Sequence, residues 1–97
     1  MAKINKATKP IKNTTSILIP MVQEEREYSL TELANLSALS YEQIKIASNF
    51  LRRGGILKVR YEKTQKKPFR KALFSLNPKK YAIILRLLKE EGIEVVF

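Results

Sequence analysis

Two helix-start signals stand eleven residues apart in this chain, and together they force a sharp corner. Ser29 is followed three residues on by Glu32, and Ser40 three residues on by Gln43. Each pair is a capping box: the serine hydroxyl accepts from the backbone N–H of the third helical residue, whose own side chain reaches back to the serine N–H. The first box opens a short helix ending near Ser37, with Leu30, Leu33, Ala34 and Leu36 read as its inward side. The second opens a helix over Tyr41 to Arg53, stopped at Gly54 and Gly55, where a positive φ is cheap. Only Ala38 and Leu39 separate the end of one from the cap of the other, too few for an antiparallel helical hairpin.

Elements of other kinds flank this pair. Ile17, Leu18, Met21 and Val22 recur at helical spacing within Thr14 to Arg26. Pro20 is tolerable only in or near a first turn, so this helix is expected to begin late. Tyr28 and Ser29 read as a very short strand. Ile56 to Tyr61 and Phe69 to Leu76 are rich in β-formers and enclose EKTQKKP, residues 62 to 68, which predicts a hairpin with a long charged tip. Asn77 caps a last helix with Pro78 at its first position, ending at Glu90 or Glu91 before Gly92. Residues 1–13 hold Lys3, Lys6, Lys9 and Lys12 and no acid, and are expected to be a flexible basic arm; residues 14–97 form the domain, closing on an apolar tail from Ile93 to Phe97. The fold class is α+β, mainly α.

Composition narrows the chemistry. Ninety-seven residues with an apolar fraction of 44% make one domain. Nineteen Lys and Arg against nine acids give a formal charge of +10, which favours a polyanion as partner. Without Cys there are no disulfides or thiolates, and without His the commonest general base and metal ligand are missing, so no metal or other cofactor is expected. No apolar run approaches the ~20 residues that span a bilayer. The basic N-terminus lacks a secretory core, so no membrane partner is expected and a cytoplasmic, nucleoid-associated location is. Glu24, Glu25 and Glu27 cluster at one helix end and Glu90 and Glu91 at another, with no glycine-rich phosphate loop, so an enzyme is not expected.

The helix from Tyr41 has two sides at ~100° per residue. Ile44, Ala47 and Leu51 cluster on one, flanked by Gln43 and Phe50; Glu42, Lys45, Asn49, Arg52 and Arg53 collect opposite. Arg or Lys donates to guanine O6 and N7, and Asn pairs with adenine N6 and N7. A solvated face that merely avoids the core is the plain alternative.

These residues carry a resemblance. Segment 30–51 resembles the helix-turn-helix of DNA-binding regulators, and 17–91 the winged form of that fold. Ala34 matches the small residue where the two helices cross, and Ile44 the branched residue that locks the second helix down, with Leu33, Leu39, Ala47 and Leu51 at the other inward positions. Ala38 departs from the glycine common at the turn. The resemblance implies a three-helix core, a β-hairpin wing, an extra C-terminal helix and a small transcriptional regulator that binds double-stranded DNA. Since recognition helices read bases from their N-terminal part, the base-reading candidates are Tyr41, Gln43, Lys45 and Asn49. Arg52 and Arg53 are phosphate candidates, with Arg60, Lys63, Lys66, Lys67, Arg70 and Lys71 gathered on the hairpin. Tyr61 and Phe69 flank the tip, for cross-strand packing or for base stacking. A structured-RNA or ribosome-associated protein and an assembly module of a larger complex are the alternatives.

Tyr81, Ile84, Leu85 and Leu88 make one apolar stripe on the last helix, and Ile83 and Leu87 widen it beyond what one core needs. Two arrangements cover the surplus. The expected one is a homodimer through Ile83, Leu87, Val95 and Phe97, which places two recognition helices about one helical turn (~34 Å), or a multiple of it, apart. The other is a tail folded back over Ile83 and Leu87. No small-molecule ligand is expected.

Overall fold

In the computed structural model, which describes residues 3–5, 11–67 and 70–96, five short strands and four helices follow in the order β1 (Lys3–Asn5), α1 (Asn13–Gln23), β2 (Tyr28–Ser29), α2 (Leu30–Ser37), α3 (Tyr41–Arg53), β3 (Leu57–Lys63), β4 (Arg70–Leu76), α4 (Tyr81–Glu90) and β5 (Glu94–Val96). Both capping boxes form. Ser29 Oγ accepts from Glu32 N at 3.2 Å while Glu32 Oε1 accepts from Ser29 N at 3.1 Å. Ser40 and Gln43 repeat the pattern at 3.2 and 2.9 Å.

The turns that end α2 and α3 are alike. Leu39 N donates to Ala34 O at 3.1 Å, and Ile56 N to Leu51 O at 3.0 Å, each closing over a left-handed residue. In the first that residue is Ala38 (φ 56°), in the second Gly55 (φ 74°). Gly54, expected to share the positive φ, lies at −77°.

Helices α1, α2 and α3 pack around a core in which Ile17, Leu18, Met21, Leu33, Ile44 and Leu51 are almost wholly buried. Strands β2, β4 and β3 form an antiparallel sheet in that order, with Tyr28 and Val59 both opposite Phe74. Leu57 and Phe74 of this sheet and Ile84 and Leu88 of α4 join the same buried cluster. Asn77 Oδ1 accepts from Lys79 N at 3.2 Å and starts a short 3-10 turn, Pro78–Lys80, that runs into α4.

Several expectations give way to tertiary structure. The first helix starts at Asn13, so Pro20 lies inside it and not in its first turn. Its ring sits where the chain buries Ile17, Leu18, Met21 and Val22, and packing of that face outweighs one missing intrahelical N–H. Leu36 is exposed, not inward. The hairpin strands reach as far as the pair Lys63↔Arg70, so Glu62 and Lys63 belong to β3 rather than to the tip. The flexible arm does not hold for Lys3–Asn5, which pair antiparallel with β5, Ile4 lying opposite Val95 and both packing on the core. The tail from Ile93 therefore meets β1 instead of folding over Ile83 and Leu87. Phe69 and Phe97 lie outside the described residues.

Candidate nucleic-acid interface

Helix α3 presents three kinds of surface. Ile44, Ala47, Ser48 and Leu51 are buried, the Ser48 hydroxyl donating to Lys45 O at 3.2 Å. Tyr41, Lys45, Asn49 and Arg52 make a polar strip; a shallow depression lined by Leu30, Lys45, Ile46, Ser48, Asn49, Arg52 and Phe74 sets it beside β4, with Ile46 at its border. Ile46 and Phe50 form the third surface, exposed at 73% and 69%, turned toward α4.

Within the polar strip the side chains are already paired. Lys45 Nζ stands 5.3 Å from the centre of the Tyr41 ring, one turn earlier on the helix. Arg52 Nη2 donates to Asn49 Oδ1 at 2.7 Å. Asn49 is thus half-exposed and oriented, with its amide N–H groups left to donate. Gln43 does not belong to this set: its carbonyl oxygen accepts from Ser40 N, and it lines the groove beside Ile46 and Phe50. Arg53 is exposed at the end of the helix.

Strand alternation sorts the hairpin cations. Leu57, Val59, Tyr61 and Lys63 share a face with their partners Leu76, Phe74, Ala72 and Arg70, and Phe74 puts that face beside α3. The Arg70 guanidinium lies 5.1 Å above the Tyr61 ring, so this pair and Lys63 extend the polar strip of α3 outward. Arg60 and Lys71 alternate to the opposite face. There Arg60 donates to both carboxylate oxygens of Glu27, at 2.8 and 2.7 Å, and stands 3.5 Å from Glu62. Those hydrogen bonds hold the Glu27 carboxyl below its usual range and push the guanidinium further up. Arg60, a phosphate candidate by sequence, is engaged by Glu27 while its side chain remains exposed. Lys66 and Lys67 stand exposed at the tip, where Thr64 Oγ1 donates to Lys66 O at 2.7 Å.

Of the residues expected at a dimer interface, the three described ones do not form one patch. Ile83, 39% exposed, and Leu87 line a groove of about 950 Å³ between α3 and α4, together with Ile46 and Phe50. Val95 lies on the other side of α4, near Leu85 and Lys89. By sequence Phe50 flanks the buried side of α3; in the fold it joins Ile46, four residues earlier, on a side turned away from Ile44 and Leu51. Among the described residues no cluster of three or more acidic, His or Cys side chains could hold a metal, and no helix is long and apolar enough to cross a membrane.

A three-helix core with a helix pair meeting at a sharp corner, followed by a β-hairpin against the second helix, is a winged helix-turn-helix. No family model matches the chain, and none of the curated proteins matches it in sequence. Solved structures match in fold. BpsR of Bordetella bronchiseptica, whose DNA binding is regulated by 6-hydroxynicotinic acid, superposes with a TM-score of 0.66 over 91% of this chain and 66% of its own, at 14% identity. A MarR family transcription regulator does so with a TM-score of 0.63 over 82% of this chain and 50% of its own, at 16% identity. ZitR of Lactococcus lactis, solved in complex with DNA, gives a TM-score of 0.59 over 93% of this chain and 57% of its own, at 16% identity. The chain spans between half and two thirds of the length of these regulators.

Proposed function

We propose that this chain is a transcriptional regulator that binds double-stranded DNA sequence-selectively and, given its +10 charge, acts at the nucleoid. The observation that carries this is the alignment of two cationic elements on one side: Tyr41, Lys45, Asn49 and Arg52 on α3, and Tyr61, Lys63 and Arg70 on the hairpin face beside it. In this reading α3 enters the major groove. Lys45 and Asn49 read base edges, and Arg52, Arg53 and the hairpin hold phosphates. Lys66 and Lys67, at the tip, reach the backbone or the minor groove. ZitR, seen with DNA, shares the fold and supports the reading.

Selection of bound duplexes from a random pool, followed by a salt titration on the winner, tests it. The expected result is one enriched motif, bound with a log–log salt slope of about −0.9 per phosphate neutralised. Enrichment of nothing, or tighter binding to structured RNA than to any duplex, would refute it.

A further inference from the structure

Helix α3 has a second exposed stripe beside its Lys45–Asn49 edge, sharing Arg53 with the phosphate contacts proposed above. Glu42, Ile46, Phe50 and Arg53 follow at spacings of four, four and three, and all four are exposed. At ~100° per residue they occupy one narrow strip of the helix. Its centre is apolar and its ends are oppositely charged.

That arrangement is its own complement. Turn a second α3 antiparallel about a two-fold axis between positions 46 and 50. Ile46 then meets the second copy's Phe50, and Glu42 meets its Arg53, twice over. A two-fold pair satisfies both charges with the same surface, needing no complementary sequence elsewhere. The groove beside the stripe, about 950 Å³ and floored by Leu18, Ala47, Leu51, Ile83 and Leu87, gives each Phe50 ring a place to enter. We propose that a second copy of this chain occupies this surface, pairing α3 against α3.

This differs from the α4 dimer expected from sequence, and it has a different consequence. Packed helices lie ~8–10 Å apart. Successive major grooves on one face of the duplex lie ~34 Å apart, and one major groove, ~12 Å wide, admits a single helix. The paired form therefore cannot seat its α3 helices in DNA, so pairing and DNA binding compete. This second step rests on the function proposed above; the pairing does not. The salt responses are opposite as well. Salt screens both the repulsion of two +10 chains and the two exposed Glu42–Arg53 pairs; since exposed pairs are worth little, the net effect is to tighten pairing, whereas salt weakens DNA binding.

Sedimentation of the full chain over a range of micromolar concentrations, at low and high salt and without DNA, tests the pairing. A monomer–dimer equilibrium that tightens with salt is expected. Phe50→Ser should weaken it by roughly tenfold or more, as loss of a central aromatic anchor does. Glu42→Arg and Arg53→Glu should each weaken it, and the double swap should restore it. A monomer throughout, or a dimer indifferent to Phe50→Ser with Ile46→Ser, overturns the pairing; circular dichroism confirms that these exposed-site variants fold. In the DNA arm, an enriched duplex should dissociate the dimer. Duplex bound by an intact α3-paired dimer overturns the competition alone, and no binding by either form overturns the proposed function while the pairing stands.

Discussion

The Arg60 guanidinium and the Glu27 carboxylate meet through two hydrogen bonds of 2.8 and 2.7 Å, across 33 residues of chain. The contact ties the loop before β2 to the outer face of the hairpin. It also divides the hairpin's cations into those that brace it and those that face outward. Arg60→Ala should therefore alter the salt slope of DNA binding by less than one phosphate contact. Lys66→Ala with Lys67→Ala should flatten it by nearly two, at about 0.9 each, and weaken all sequences alike. Fluorescence anisotropy on matched and scrambled duplexes at several salt concentrations measures both. Equal slope changes per charge removed would show that Arg60 leaves Glu27 for DNA.

Asn49 is oriented by Arg52, whose Nη2 occupies its carbonyl oxygen at 2.7 Å. A bidentate contact to adenine needs both the carbonyl and the amide of Asn49; the carbonyl's second lone pair is left for adenine N6 while Arg52 holds the first. Asn49→Ala should cost about 1–3 kcal/mol of discrimination at one base position and leave the salt slope unchanged. Binding to a panel of single-base variants of the selected site reads this directly. Loss spread evenly over all variants would assign Asn49 to the backbone.

The turn between α2 and α3 stores strain that a glycine would release. Ala38 sits at φ 56° and ψ 37°, a left-handed conformation that disfavours any side chain by about 1–2 kcal/mol. Glycine gives back part of this through the looser unfolded chain, about 0.4–1 kcal/mol. Ala38→Gly should raise stability by about 0.5–1 kcal/mol in urea unfolding. Gly55→Ala is the mirror experiment. An added Cβ there meets only Lys80 Cε at 3.7 Å, an ordinary contact, so the φ of +74° alone should make it destabilising.

Acid should unfold the domain partly through two carboxylates. The Ser29 backbone N–H, then Arg26, holds the Glu32 carboxyl below its usual 4.5, and Arg60 does the same for Glu27. Groups lowered in the native state stabilise it fully above their unfolded values and lose that effect as pH falls through the lowered ones. The loss should thus begin near the ordinary carboxylate range and deepen below it. Glu32→Gln keeps the capping acceptor, as Gln43 does in the second box, but cannot titrate. Thermal unfolding against pH should show a shallower acid limb for this variant, and an unchanged limb would remove Glu32 from the account.

Local chemistry made much of this molecule legible. The capping boxes at Ser29 and Ser40 depend on side chains three residues away, so helix starts and the corner between them could be read directly. Ile44, Ala47 and Leu51 repeat at the helical period, so the buried side of α3 followed too. The chain alone thus determined the two capped helices, their corner and the Lys45–Asn49 edge of α3, because short-range hydrogen bonds and hydrophobic period set them; the winged helix-turn-helix followed by resemblance. Only the tertiary structure decided which cations are spent. Arg60 reads like Lys66 in sequence, yet strand register turns it toward Glu27 and away from α3. Pro20 inside α1, the pairing of Lys3–Asn5 with Glu94–Val96, and the exposure of Ile46 and Phe50 were likewise settled by contacts between distant segments, whose energies no local window of sequence contains.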